Sequence, residues 1–504
     1  MTAAEPYARR WQALIVLAVS LLVITVGNTI LNVALPTIQT ELAASSSQLQ
    51  WIVDGYLLVY ASLLLAAGTL GDRFGRRRAL MAGLVTFAVG SGLAALCTTS
   101  TELIACRALM GVGAAGIMPT TLSVLTNIFP AHERPKAIAV WSAVAGLGIA
   151  IGPISGGWLI EHMTWNGIFL VNLPAVVACL IGAWALVPES RDPAKPRLDW
   201  IGAALSVAGL TAIVWGLIEA PERGWTSPAI LGAFAGGAAI FAAFAWWERR
   251  VEEPMLEMSV FRNLRFSAAS ASITFVYFAL MGVMYFLTSY LQTVLGYTAL
   301  EAGVRMLPIA CGLVLTARPA VVLTRRAGTK LTVAGGLAVV AGALVAIAGF
   351  GVDTGEWQLA LTLGMMGAGV GLAMSPATEA IMGSLPPERA GIGSAMNDVV
   401  REVAGTLGIA VLGSLLASAY AGGMDSAVSG LSPDAAAAAS DSVGAAHAIG
   451  SPDLIAAANS AFVDAMSTTA SIAAVIAIAG SLIAAAFLPA RARGEAAVPV
   501  PAAA

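Results

Sequence analysis

Long apolar stretches are the feature that most restricts how this chain can fold. Fourteen of them, each about 20 residues, lie at 11–34, 51–70, 79–98, 102–124, 137–159, 166–187, 200–219, 227–247, 268–290, 302–322, 331–350, 358–381, 392–417 and 465–489, and each can cross a bilayer as a helix. In hydrocarbon the backbone must bond to itself, so each crossing segment must be helical. The expected fold class is therefore an all-α polytopic membrane protein. Composition agrees: 11% of residues are charged, against about 25% in soluble domains. The net charge of −3 gives no basic surface for nucleic acid, and lipid is the expected partner. The first stretch is too long for a cleavable signal peptide and is expected to stay as a span.

Orientation follows from the basic residues, which gather in cytoplasmic loops. With the N-terminus inside, the cytoplasmic segments hold 21 of the 26 Lys and Arg, and the external loops hold one, Arg223. Arg107, Arg305, Arg318 and Arg401 lie within spans. Shifting the frame by one span inverts the asymmetry, so the chain is expected to be multi-pass in the inner or plasma membrane with both termini cytoplasmic. Segment 418–464 is then a long external loop, rich in Ala, Ser and Gly, with five aspartates and no basic residue. Flexible chain and short surface helices are both compatible with that composition. Cys97, Cys106, Cys179 and Cys311 sit in apolar runs without metal-ligand spacing and read as small core residues.

Three local patterns carry more than hydropathy. Residues 68–80 read GTLGDRFGRRRAL. Gly68 and Gly71 allow close helix approach, Asp72 can face a helix N-terminus or an arginine, Gly75 permits a tight turn, and Arg73, Arg76, Arg77 and Arg78 hold the loop in the cytoplasm. A generic basic loop would account for the arginines but not for Gly, Asp and Gly at this spacing. In span 4, Arg107 precedes Gly111 and Gly113; a charge at membrane depth marks function by default, the alternative being a structural arginine held by backbone carbonyls. Span 5 reads GLGIAIGPISGGWL, in which Gly148, Gly152, Gly156 and Gly157 form a small-residue face and Pro153 bends the helix.

These strings resemble the major facilitator superfamily. Gly68, Leu70, Asp72, Arg73, Gly75, Arg76 and Arg77 match its cytoplasmic loop between spans 2 and 3, which in the family clamps the two halves together in the outward-open state. Arg107 with Gly111 is similar to the span-4 motif linked to proton transfer and helix packing. Gly148, Gly152, Pro153, Gly156 and Gly157 match the antiporter signature that separates exporters from symporters. TILNVALP at 29–36, WNGIFLVNLP at 165–174 and GSAMNDVVREVAGTLGIAVLG at 393–413 resemble the EmrB/QacA type of fourteen-spanner drug:proton antiporter. The resemblance implies two six-helix bundles, 1–190 and 267–504, joined through two linker helices and a loop at 191–266. It also implies a monomer driven by the proton gradient, with no cofactor.

A proton antiporter needs a carboxyl group that changes protonation as access alternates. The candidates are Asp54, read in the first turn of span 2, and Asp398 and Glu402, which share one face of span 13 with Arg401. A static ion cluster that only fixes packing is the alternative. Two acids usual in relatives are absent: Gly27 stands two positions before Thr29, and Leu313 occupies the middle of span 10. Asn32, Trp141, Phe278, Tyr285 and Asn397 lie on spans expected to line a central pocket for a small amphipathic or cationic substrate. The expected function is proton-coupled export of drugs or amphipathic secondary metabolites by alternating access. An uncoupled facilitator or dedicated metabolite exporter of the same fold is the alternative. No HExxH, catalytic Ser/His/Asp set or phosphate loop points to a membrane enzyme or an ATP-driven pump.

Overall fold

The computed structural model describes residues 8–130, 133–191, 199–252, 254–256, 258–384 and 390–489. Lys195, Arg197, Arg389, Arg491 and Arg493, which contributed to the orientation argument, lie outside them. The chain is helical throughout the described residues: α1 Arg10–Glu41, α2 Ser46–Phe74, α3 Arg76–Ala94, α4 Ser100–Ile128, α5 Arg134–His162, α6 Gly167–Leu170, α7 Asn172–Leu186, α8 Trp200–Arg223, α9 Pro228–Glu248, α10 Leu264–Ser289, α11 Ala299–Arg305, α12 Leu307–Ala348, α13 Glu356–Met382, α14 Ala390–Met424, α15 Pro433–Asp441, α16 Val443–Ile449 and α17 Pro452–Phe487.

Each of the fourteen apolar stretches is mostly helical, although 166–187 and 302–322 are each divided between two helices and α12 runs through two stretches. Among the described residues, eleven segments are long and apolar enough to cross a membrane. The eleven leave out α3, whose first turn is Arg76-Arg77-Arg78, and α5, and they count Ala299–Ala348 once although the backbone breaks at Gly328 (φ 87°). Several helices run beyond their apolar cores. Helix α2 starts at Ser46 because Ser45 and Gln48 form a capping box, the Ser45 hydroxyl accepting from the Gln48 amide at 3.2 Å. Asp54 therefore sits in the third turn, not the first.

Helices α1 to α7 pack among themselves, chiefly α1 on α5 and α4 on α2 and α3. Helices α10 to α17 form a second set, chiefly α12 on α13 and α17, and α14 on α10. Glycine permits the closest crossings. A Cβ on Gly111 would lie 2.6 Å from the carbonyl of Tyr56, and one on Gly113 2.8 Å from that of Gly83. The hairpin α8–α9 leans on both sets, because Leu210, Val214 and Ile218 pack with Leu58 of α2 and Ala410 of α14. The outer surface exposes Leu96, Trp184, Leu315 and Leu361, an apolar coat suited to lipid. Cys311 also lies on that surface, contrary to its reading as a core residue.

Segment 418–464 is largely helical: α14 continues to Met424, α15 and α16 follow, and α17 begins at Pro452. Ser432 caps α15, with its hydroxyl accepting from the Ala435 amide at 3.4 Å and Pro433 at the first helical position. Arg305, read within a span, lies at the C-terminal end of α11. Its guanidinium bonds to Glu356 and stacks on Tyr297 at 3.8 Å.

Candidate transport site and gates

Two groups of charges lie within the spans that the sequence singled out, apart from the buried Asp199 and Glu248 at the ends of α8 and α9. In the first, Arg107 of α4 is 1% exposed. Its Nε donates to the Ile52 carbonyl at 3.1 Å, an Nη donates to Asn28 at 3.2 Å, and the guanidinium lies over the Tyr56 ring at 4.2 Å. Carbonyl, amide and aromatic face together stabilise a charge that lipid alone would not. Asp54, also on α2, is fully buried, and neither carboxylate oxygen has a hydrogen-bond partner among the described residues. It does not pair with Arg107; instead it lies within electrostatic reach of Tyr285 on α10.

The second group is on α14. Asp398, Arg401 and Glu402 share a face as their spacing requires. The guanidinium of Arg401 donates to the Tyr277 hydroxyl and lies over its ring at 4.7 Å, while its Nη1 stays 3.9 Å from Asp398. The arginine is therefore committed to an α10 tyrosine and only loosely to its neighbouring acid. Asn397 accepts from Thr378 at 3.3 Å and donates to Asp398 at 3.5 Å. Tyr56 and Tyr60, one helical turn apart with ring centroids at 5.8 Å, stand between the groups. Tyr56 shares its field with Arg107 and Glu402, and Tyr60 with Asp398, Arg401 and Glu402.

The other candidate pocket residues are dispersed. Trp141 is buried and donates to Thr121 at 3.2 Å, Asn32 is half-buried on α1, and the Phe278 backbone lies against Gly408 of α14. Tyr285 lines a cavity of about 50 Å³ with Gln50, Gly413 and Tyr420. Gly27 faces Phe87 and Asn172, with room for a Cβ at ordinary contact distance.

The glycines of α5 serve two contacts. Gly148 and Gly156 fit against α1, where the Thr29 hydroxyl donates to the Gly148 carbonyl at 3.0 Å and a Cβ on Gly156 would lie 3.1 Å from the Ile30 carbonyl; Gly152 meets Thr29 on the same helix. Gly157 turns to the other helix set: its Cβ would lie 2.5 Å from the Ala299 carbonyl of α11, and the carbonyl of Pro153 abuts Gly303. Among the described residues, the hydrogen bonds between the two sets fall at the same end, the Ser46–Asp441 pair among them. Gln292 donates to the Val33 carbonyl at 2.7 Å, the Leu300 amide donates to Glu161 at 3.1 Å, and Ser414 donates to Gln50 at 3.3 Å. Among the described residues, the halves are fastened at the end opposite the arginine-rich loop.

That loop is held within its own half. Asp72 accepts from Arg76 at 2.7 Å, Glu189 accepts from the Arg77 amide at 3.2 Å and lies 3.9 and 3.6 Å from the Arg77 and Arg78 guanidinium groups, and the Arg76 amide donates to the Ser190 carbonyl at 2.9 Å. Gly68 packs on Pro119 and Gly71 on Thr120; Leu70 is half-buried, and the Arg73 guanidinium lies 5.5 Å from the Phe74 ring centroid. Gly75 has φ 124°, and a Cβ there would lie 2.5 Å from Glu189 Oε1. Gly75→Ala is expected to lower stability by about 1–3 kcal/mol through backbone strain and loss of the Glu189 contact, read as a fall in melting temperature in detergent.

Sequence reasoning missed Glu189, Tyr277, Tyr56, Tyr60 and Asn28. The signal for Glu189 was Val-Pro-Glu-Ser-Arg directly after span 6; that for the α2 tyrosines was their i, i+4 spacing facing a span that carries a lone arginine.

Comparison with known proteins decides the family. Residues 17–409 match the Major Facilitator Superfamily. The chain belongs to that superfamily. It is 35% identical over 483 residues to the multidrug efflux pump LfrA of Mycolicibacterium smegmatis, covering 94% of this chain and 95% of that protein. It is 33% identical over 411 residues to the tetracenomycin C resistance and export protein of Streptomyces glaucescens, covering 81% and 76%. A bacterial homologue of the human lysosomal transporter Spinster, solved in an inward-facing, unoccupied conformation, shares the fold with a TM-score of 0.67 at 18% identity, covering 96% of this chain and 98% of that one.

Proposed function

We propose that this protein is a proton-coupled exporter of drugs or amphipathic secondary metabolites, of the fourteen-spanner EmrB/QacA branch, in the cell membrane with both termini cytoplasmic. The observation that carries the proposal is the half-buried Asp398–Arg401–Glu402 group on α14, with its arginine turned onto Tyr277. This arrangement leaves carboxyl groups beside a cation without locking them into a close ion pair, so a proton can come and go as the halves rock. The efflux relatives and the glycine string of α5 support export. In this reading Asp54, Arg107, Asp398, Arg401 and Glu402 couple protons, and Asn32, Trp141, Phe278, Tyr285 and Asn397 contribute to the substrate path. The bundles 1–190 and 267–504 rock about that path, and the 191–266 insert accompanies them. The fastened end faces outside, so this state is open inward. The protein works as a monomer without a cofactor.

Ethidium efflux from inverted vesicles tests the reading. Uptake is expected with a pH gradient, acid inside, and is expected to fall to background when the gradient is collapsed. Transport that survives collapse would establish a facilitator instead. A dedicated metabolite exporter is the second reading, favoured by relatives named for one antibiotic, such as the puromycin resistance protein of Streptomyces alboniger, 32% identical over 421 residues, covering 82% of this chain and 84% of that protein.

A further inference from the structure

Between α14 and α17 the chain makes a folded crossing over the fastened end. It is secured to its own half: the Tyr420 hydroxyl of α14 donates to the Ala439 carbonyl at 2.9 Å, and His447 bonds to Asn459 of α17 at 2.7 Å. It also reaches across to the other half. The Asp441 carboxylate accepts from the Ser46 amide at 3.0 and 3.3 Å, and the Ser46 hydroxyl donates to the Asp441 carbonyl at 2.6 Å. Gln39 of α1 lies against Gly444. Ser46 is the first residue of α2, and its amide is one of the donors a helix start leaves unpaired. Ser45 supplies a local cap to Gln48, and Asp441, 395 residues away, supplies the cap to Ser46.

Outward opening must part the ends of α1 and α2 from α14 and α17, and these bonds span that parting line. We propose that segment 433–449 is an outer latch, with Asp441 its bolt across the halves, that must release each time the transporter opens outward and that external acid tightens. Asp441 is the positioning residue, acting through the α2 start. The proposal rests on the alternating-access reading given above.

The sign of the pH effect follows from the surroundings. Helix α8 contributes Glu222, within reach of Asp441, and Glu219, which is bonded to Arg223 at 2.9 Å. Helices α10 and α14 contribute the Tyr285 and Tyr420 hydroxyls, α16 contributes His447, and Glu41 of α1 is exposed. Burial pushes the Asp441 carboxyl above its usual range, with the Ser46 bonds opposing. In the open state Asp441 is in water and titrates normally. Closing therefore favours the protonated form, and closure strengthens as external pH falls toward the carboxyl range. For an antiporter this is the useful direction, since protons met outside return the emptied carrier to the inward-facing state.

The test is a distance measurement on the full chain in nanodiscs. Ala43 and Ala448 flank the crevice beneath the latch. Spin labels are placed on Ala43→Cys and Ala448→Cys, with the four native cysteines replaced by alanine, and separations are recorded at pH about 7.5 and about 4.5, either side of the carboxyl range expected when burial raises the group. Wild type should shift toward the short separation in acid. Asp441→Ala should raise the long-separation fraction about tenfold, in line with loss of a helix cap. Ser46→Pro removes the same amide at a position where proline suits the helix, so α2 is retained; it should match Asp441→Ala, and the double variant should be no more open than either single one. Asp441→Asn, still an acceptor but uncharged, should stay closed and lose the pH response. An unchanged distribution in Asp441→Ala would overturn the latch, and a wild-type pH response in Asp441→Asn would overturn the proton dependence. No drug or gradient enters the measurement, so it can fail while the export reading stands.

Discussion

Asp398→Asn is expected to cut gradient-driven efflux sharply while leaving the protein folded. The amide keeps the volume of the carboxylate, and Arg401 retains its principal partner because its bond runs to Tyr277, with Asp398 3.9 Å away. The variant therefore loses a titratable group without stranding a half-buried cation. Ethidium transport in inverted vesicles should fall at least about tenfold, equivalent to about 1.4 kcal/mol or more on the limiting step, and the remainder should no longer respond to the pH gradient. Glu402→Gln should also lose coupling. Tyr277→Phe should keep both acids but free Arg401 to close on Asp398, which would slow transport by a different route. If Asp398→Asn transports at the wild-type rate under a gradient, the α14 group is a packing cluster and the coupling residue lies elsewhere, with Asp54 the next candidate.

Gly157→Ala is expected to be nearly as damaging, for a steric reason. The added Cβ would stand 2.5 Å from the Ala299 carbonyl and 2.6 Å from the Leu300 amide, well inside van der Waals contact and against backbone that has no rotamer by which to yield. The clash exists only while the fastened end is closed, so the variant should populate the outward-open state and export at least about tenfold more slowly. Cysteines introduced near that end should become more reactive to membrane-impermeant maleimide from outside. Gly232→Ala supplies the control: nothing lies within 4 Å of its Cβ, and transport should be unchanged. Wild-type export by Gly157→Ala would mean that the α5–α11 contact is not a gate.

The sequence made the helices legible because hydrocarbon imposes one backbone solution and about 20 apolar residues per crossing. It made local charge geometry legible for the same reason: Asp398, Arg401 and Glu402 are neighbours once the helix is granted. Long-range partners were not legible. Nothing in the spacing joins Glu189 to Arg77, Tyr277 to Arg401 or Asp441 to Ser46, since those pairs depend on how helices cross and where their ends fall. Helix ends were misjudged where a helix runs past its apolar core, as at Ser45, where a capping box starts α2, and at Pro452, where proline takes the first turn of α17. Composition left the crossing over the outer end open between flexible chain and short helices, yet alanine is the strongest helix former, and Ser432-Pro433 is a helix start that could have been read.

The α8–α9 hairpin has a consequence for the physics of turnover. Its inner helix touches α2 and α14 together, at Leu58 and Ala410, along the seam where the halves must slide. Its outer helix presents most of its surface to lipid. A lipid-facing span that does not match the bilayer thickness accommodates in part by tilting, and α9 packs on α8. Thinning or stiffening of the membrane is therefore expected to reach the seam through α8, which would tie the speed of transport to the mechanical state of the bilayer.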